Sequence, residues 1–337
     1  MEQVMDVIRR HGRFVLTTHV NPDGDGLGSE LALMAGLRRL GKSPAIVNHS
    51  PTPEHYRWLD PAGFAERYEA GRHDSVIASA EAILVLDTNQ PDRLRAMEGP
   101  VRASAATRAV IDHHLDPHPF ADAYFIDSDA TSTGEMIFRL LEAIGGVEID
   151  AEIAVPLYTA IMTDTGSFRY PRTGAGTHRI ASRLIECGAD PPSIFGKVYE
   201  TWSPGRMRLL GEALDTLSLS GGGAVASMMT TREMFSRTGT TEIETDTFST
   251  YPMNIRNVRI GILFTELTDG VKISFRSKGT IPVNLLAKEF GGNGHLNASG
   301  ARLHDVALGD LVPRVLAAAE KYLSQESSSP SNQGTTP

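Results

Sequence analysis

The chain has 337 residues, 41% hydrophobic and 22% charged, with a formal net charge of -9 and a single cysteine. That length suits two ordinary domains, one cysteine excludes an intramolecular disulfide, and no apolar run approaches the ~18 residues that span a bilayer, so the cytoplasm is the expected compartment. The acidic balance argues against long duplex nucleic acid as the main ligand, since such binders neutralise many phosphates with Lys and Arg.

In chain order, MEQVMDVIRRHG predicts an amphipathic helix without a signal-peptide core. The segment FVLTTHVNPDGDGLGS (14 to 29) runs from an apolar strand signal into His19, Asp23 and Asp25. GLGSELALMAGLRRLG (26 to 41) is helix-like, with Gly41 just past its end, and PAIVNH is strand-like. AILVLDT (82 to 88) and RAVIDHH (108 to 114) repeat the apolar-to-acidic pattern, ending in Asp87 and in Asp112, His113 and His114. A short AYFID (123 to 127) precedes helices near 132 to 144, capped by Thr131 or Ser132, and near 150 to 162. YTAIMTDTGSFRY (158 to 170) leaves a helical stretch and offers Asp164, and GTHRIASRLIECG (176 to 188) continues the helical signals.

Short Val-, Ile- and Leu-rich runs separated by helices predict buried parallel strands in a doubly wound α/β domain over residues 1 to 190. Residues 191 to 215 read as a helical linker. A smaller α/β domain is expected over 216 to 323. It opens with strand-like runs around a glycine turn in LSLSGGGAVASMMT (217 to 230) and continues in RIGILFTELTDGVKISFRSKG (259 to 279), a hairpin turning at Asp269-Gly270. Helices near 282 to 290 and 308 to 323 follow, and the polar SQESSSPSNQGTTP (324 to 337) predicts a disordered tail.

The carboxyl ends of the strands in an open α/β sheet form a ligand-binding crevice, so the acidic and imidazole side chains that end these runs should share one edge. So many carboxylates ionise together only if cations compensate them, which points to divalent metal. Carboxylates with a minority of imidazoles favour Mn²⁺ over Mg²⁺. Zinc is possible but less natural, because structural zinc sites lean on thiolates.

These segments together resemble the DHH phosphoesterase superfamily, named for the triplet present here as Asp112, His113 and His114. HVNPDGDGLGS resembles its first motif, the Asp87 strand end its second and TDTGSFRY its fourth, while GGNGHLNASG (291 to 300) resembles the glycine-rich signature of the DHHA1 substrate-binding domain. Asn293 and Ser299 depart from its commonest form, which has glycine and alanine there. The resemblance implies that His19, Asp23 and Asp87 bind one ion and Asp25, Asp87, His113 and Asp164 a second, with Asp87 bridging them and water activated between the ions attacking phosphorus in line. It implies a role for His114 at the scissile phosphate or leaving oxygen, while Asp112 is expected to orient an imidazole. Gly292, Gly294 and His295 would hold a phosphate in the second domain. Arg276, with Lys278 more weakly, would meet the substrate's terminal phosphate, and Arg169 would reach a phosphate or form a structural salt bridge.

The compact layout resembles the nanoRNase and pAp-phosphatase type, with short RNA or pAp as substrate and a dimer as a family-level expectation. A cyclic di-AMP or pApA phosphodiesterase is the alternative within the family. A nucleotide-binding sensor that hydrolyses nothing is the alternative of another class.

Overall fold

A computed structural model describes residues 1–327, which fall into two compact units, Met1–Thr201 and a second beginning at Trp202. The first unit is built on strands β1 Arg13–Thr17, β2 Ser43–Asn48, β3 Ala65–Arg67, β4 Ala82–Leu86, β5 Thr107–Asp112 and β6 Ala123–Ile126. They form one sheet in the order β3-β2-β1-β4-β5-β6, and every pairing is parallel. Its helices are α1 Glu2–Arg10, α2 Gly24–Arg39, α3 His73–Ser79, α4 Glu98–Ala103, α5 Thr133–Ile144, α6 Ala151–Asp164, α7 Ala175–Glu186 and α8 Pro191–Tyr199.

Both sheet faces are covered, which is why these strands read as unbroken apolar runs. Phe14, Leu16, Leu84, Leu86 and Ile111 pack with α1, α2, α5 and α6. The alternate residues Val15, Ile83, Val85 and Val110 meet Ile77 of α3 and Val101 of α4 on the other face. Strand order reverses between β1 and β4, so the loops leaving their carboxyl ends diverge and open a crevice there. His19 follows β1 and Asp87 follows β4. Residues 112–114 lie at the end of the next strand.

The second unit holds α9 Pro204–Asp215, β7 Ser218–Ser220, β8 Val225–Thr230, α10 Arg232–Thr238, β9 Ile260–Glu266, β10 Gly270–Ser277, α11 Val283–Lys288, β11 Asn293–His295, β12 Ala298–His304 and α12 Leu308–Ser327. The sheet order is β11-β12-β10-β9-β8-β7. It is mixed, because β8 and β9 pair in parallel while their neighbours are antiparallel. The β9-β10 hairpin turns at Asp269-Gly270. Val271, Ile273 and Phe275 bury one face against α11 and α12, and Met228 and Leu263 bury part of the other against α9 and Phe248.

The division between the units falls inside the segment read as a linker: α8 belongs to the first and α9 to the second. The segment from 231 to 258 forms α10 and short 3₁₀ turns. Positions 324–327, read as the start of the tail, continue α12, and the remainder of that tail lies outside the described residues. Among the described residues no helix is long and apolar enough to cross a membrane.

Candidate functional site

The loop after β1 carries His19 into α2, whose first turn is capped by Asp23. Asp23 Oδ1 accepts from the amides of Asp25 and Gly26 at 3.0 and 3.1 Å, an N-cap that satisfies otherwise orphaned donors. Its other oxygen, Oδ2, faces Nε2 of His19 at 3.8 Å. One carboxylate thus both starts the helix and addresses the crevice.

Asp25 points into the protein. Its oxygens accept from the amides of Thr133 and Gly134 at 2.7 and 2.8 Å, so the amino end of α5 holds it, a setting that favours negative charge. Ser132 caps that helix by accepting from the Glu135 amide, one of the two cap residues the sequence allowed.

Asp87 leaves β4 with φ of 58°, a left-handed conformation uncommon outside Gly, Asn and Asp. Its amide still donates to Ile111 of β5 at 3.0 Å, and the turn then carries its side chain between the imidazoles. Asp87 Oδ2 lies 3.2 Å from His19 Nε2, and Oδ1 lies 3.6 Å from His113 Nε2. His113 Nε2 is also 3.7 Å from Asp25 and 3.4 Å from Asp164, the last residue of α6.

Three groups of side chains therefore each bring one ligand atom per residue within 4.8 Å of one another: His19, Asp23 and Asp87; Asp25, His113 and Asp164; and Asp87, His113 and His114. The structure brings together all six residues expected to hold metal.

The electrostatics fit a cation. Both ring nitrogens of buried His113 lack a hydrogen-bond partner among the described residues, although Nε2 looks toward three carboxylates. His19 Nδ1 donates to the Val20 carbonyl at 2.9 Å, because a carbonyl can only accept, and this aims Nε2 at Asp87 and Asp23. Burial works against charge on His19, yet those two carboxylates hold its imidazole up at about 10. Burial and the nearby Asp87 and Asp23 charges push Asp164 up to about 8, and burial with Asp87 and Asp164 raises Asp25 well above the carboxylate range. Burial also opposes the charge on Asp87, but His19, then His114 and His113, outweigh it and hold this carboxyl low. Carboxylates pulled in opposite directions at one locus ionise together only when positive charge joins them. Imidazole and carboxylate donors in this arrangement suit divalent metal.

Asp112, fully buried at the end of β5, accepts from His114 Nδ1 at 2.7 Å. The imidazole it orients is thus His114. Burial opposes a charge on that ring, while Asp112 and then Asp87 raise its pKa above the ordinary histidine value. Arg169 turns its Nε back onto the Gly166 carbonyl at 2.8 Å. Two cations not singled out in the sequence have fields that reach the centre: Arg172 lowers the pKa values of His113 and Asp164, and Arg93 that of His114. No spacing signal links either to the acidic motifs.

A third unforeseen group lies behind β1. Glu30 of α2 is fully buried, accepts from Asn48 Nδ2 at 2.8 Å and is pushed up to about 8 by burial. Asn48 Oδ1 in turn accepts from the Thr18 amide at 3.0 Å, which fixes the backbone next to His19.

In the second unit, His295 of β11 and Arg276 of β10 both stand opposite Ala298 of the strand between them, so the two side chains lie in one row on one face. Arg276 Nη1 donates to its neighbouring Phe275 carbonyl at 2.9 Å. Lys278 is exposed just past the end of β10. The glycines are required by strand packing: a Cβ at Gly292 would meet the Gly300 carbonyl oxygen at 2.1 Å, and one at Gly294, whose φ is +141°, would meet Ser299 Cα at 2.5 Å.

A doubly wound sheet ending in these carboxylate and imidazole groups, followed by a mixed-sheet unit with a glycine-rich hairpin, defines the class. The chain belongs to the DHH/DHHA1 family of phosphoesterases: residues 13–161 match the DHH family N-terminal domain and residues 221–325 the DHHA1 domain. It is 29% identical over 331 residues to the bifunctional oligoribonuclease and PAP phosphatase NrnA of Thermus thermophilus, covering 96% of this chain and 95% of that one. To the protein of the same name from Bacillus subtilis it is 30% identical over 320 residues, covering 94% and 97%. It is also similar to the crystal structure of an exopolyphosphatase-related protein from Bacteroides fragilis, with a TM-score of 0.91, 32% identity and 97% coverage of each chain.

Proposed function

We propose that this protein hydrolyses phosphate esters of very short oligoribonucleotides and of pAp with two divalent ions, Mn²⁺ being the best match to the donors. The observation that carries the reading is Asp87, which belongs to two of the three ligand groups and faces His19 with one oxygen and His113 with the other. His19, Asp23 and Asp87 would hold one ion, and Asp25, Asp87, His113 and Asp164 the other. When bound, such ions supply Lewis-acid activation of water and neutralise phosphate charge.

The chain's own groups supply the rest. Asp112 fixes His114 through Nδ1 and favours its protonated form, so His114 is suited to donate a proton to the phosphate or to the departing oxygen. Four ligand carboxylates roughly cancel two divalent ions, so a phosphate dianion requires further cations. Arg276 and His295 on the second unit are suited to that binding task, and Arg172 and Arg93 add positive field at the first. The two NrnA relatives are named for both activities, which supports the choice of short RNA and pAp.

The deciding experiment is a Mn²⁺-supplemented assay that follows pAp, two- to five-nucleotide RNA, pApA and cyclic di-AMP in parallel by chromatography. Turnover of pAp and short RNA with cyclic di-AMP untouched is expected. Preferential cleavage of cyclic di-AMP or pApA would move the protein to the cyclic-dinucleotide branch, and binding without any turnover would make it a sensor.

A further inference from the structure

The face of the second sheet that bears Arg276 and His295 extends beyond that row. Directly opposed residues of antiparallel strands project to the same side. The next row is Asn293, Gly300 and Ser274, and the one after it pairs Lys272 with Arg302. The alternate residues Val271, Ile273 and Phe275 are all fully buried on the opposite face. Four residues along β10 separate Lys272 from Arg276, about 14 Å at the usual strand rise. Ser274, Gly300 and Asn293 lie between, and Leu263 of β9 in the same row is covered by Phe248, so the part of the face on β10 to β12 has cationic side chains at both ends.

The far cations are already engaged. Glu242, in the 3₁₀ turn Glu242–Thr245, accepts from Arg302 Nη2 at 2.6 and 2.7 Å and pairs with Lys272 Nζ at 3.2 Å. That turn has other anchors. Glu244 accepts from the Thr241 amide and from Ser203 Oγ, and Arg206 donates to the Asp246 carbonyl. The side chains of Glu242, Lys272 and Arg302 are 29%, 31% and 45% exposed, and ion pairs so open to solvent contribute little to stability. The carboxylate's main effect is on the field of the face.

We propose that Glu242 is a specificity-determining residue: by holding Lys272 and Arg302 it cancels one of their two positive charges and occupies their donors, so that the cationic track weakens beyond the Arg276 row and later phosphates of a longer strand are held less tightly. This rests on the phosphoesterase reading above and adds a reason for preferring short substrates. A chain lacking the carboxylate would present both cations to an extended single strand.

The test uses the full chain, unaltered and as Glu242→Gln, and measures equilibrium binding of fluorescent 3- and 12-nucleotide RNA across a salt series without divalent metal. The variant should bind the 12-mer several-fold more tightly, with a smaller change for the 3-mer. Two new phosphate contacts should steepen the slope of log affinity against log salt by about 1.4 for a single strand. Adding Lys272→Gln and Arg302→Gln to that variant should remove the gain. An unchanged length dependence and salt slope, or a gain that survives loss of both cations, would overturn the proposal. Hydrolysis of pAp by the unaltered chain is scored separately. If that fails while the 12-mer gain appears, the track stands and the substrate assignment falls.

Discussion

In the first unit His19, Asp25, Asp87, Asp112 and His113 are each no more than 4% exposed, whereas in the second Arg276 is half-buried, His295 is exposed on β11 and Lys278 is exposed just past the end of β10. The buried set is held by strand ends, helix caps and backbone amides, and its members perturb one another's ionisation. In the second, more exposed set, Arg276 and His295 are placed by strand register and Lys278 follows the strand end. On the proposed roles, groups that present a fixed charge array to a metal would gain from rigid burial, while groups that meet a varying nucleotide would gain from reach. Loss of a buried member should therefore damage chemistry, and loss of an exposed one should damage affinity.

Asp87→Asn tests the buried side most severely. Partners that merely orient metal ligands are worth about 10–100-fold, so removing charge from the residue shared by two ligand groups should reduce turnover by more than about 100-fold. Near-normal activity with Mn²⁺ present would dissolve the distinction between the units at once. Asp112→Asn should act next most strongly, lowering kcat by about 10–100-fold with KM nearly constant, and shifting the pH profile as His114 loses the partner that raises it. A rise in KM alone would instead place His114 in binding.

Arg276→Ala probes the exposed side. Loss of a charge-assisted hydrogen bond costs about 1.5–3 kcal/mol, so KM should rise about tenfold or more while kcat changes less. An unchanged KM would remove Arg276 from the substrate face.

Glu30→Gln should affect activity least and act on stability instead. Glu30 keeps its proton in the folded chain up to about 8, whereas the unfolded carboxyl loses it near the ordinary glutamate value. Between those limits the folded state binds more protons, so this group's contribution falls as pH rises. Melting temperatures at pH 5, 6, 7 and 8 should show the Gln variant gaining on the unaltered chain across the series, and parallel curves would rule out the effect.

The crevice was legible because parallel strands buried on both faces leave abrupt sequence edges: in AILVLDT every residue of β4 is buried and the first polar one is Asp87. His19, Asp23 and the residues at 112–114 stand at similar edges. Glu30 was hidden because residues 24 to 37 of α2 are all buried, so a lone acid in a helix reads as part of a solvated face. Arg93 and Glu242 sit in short 3₁₀ turns and Arg172 in a loop, segments too short to show a period, and the significance of Glu242 depends on strands 30 and 60 residues away. The glycine signature was visible as a motif, yet the hairpin's own close packing, more than an anion, explains why glycine is needed at 292 and 294.

The divided duty of Asp23 narrows what that position can tolerate. Helix starts accept Ser, Thr, Asn or Asp with similar ease, so as a cap alone the position would be open to four residue types. Only Asp offers a second anionic oxygen toward His19 while the first holds two amides. A Ser or Asn at this position would preserve the fold's local grammar while erasing part of its chemistry, a change that folding assays alone would pass over.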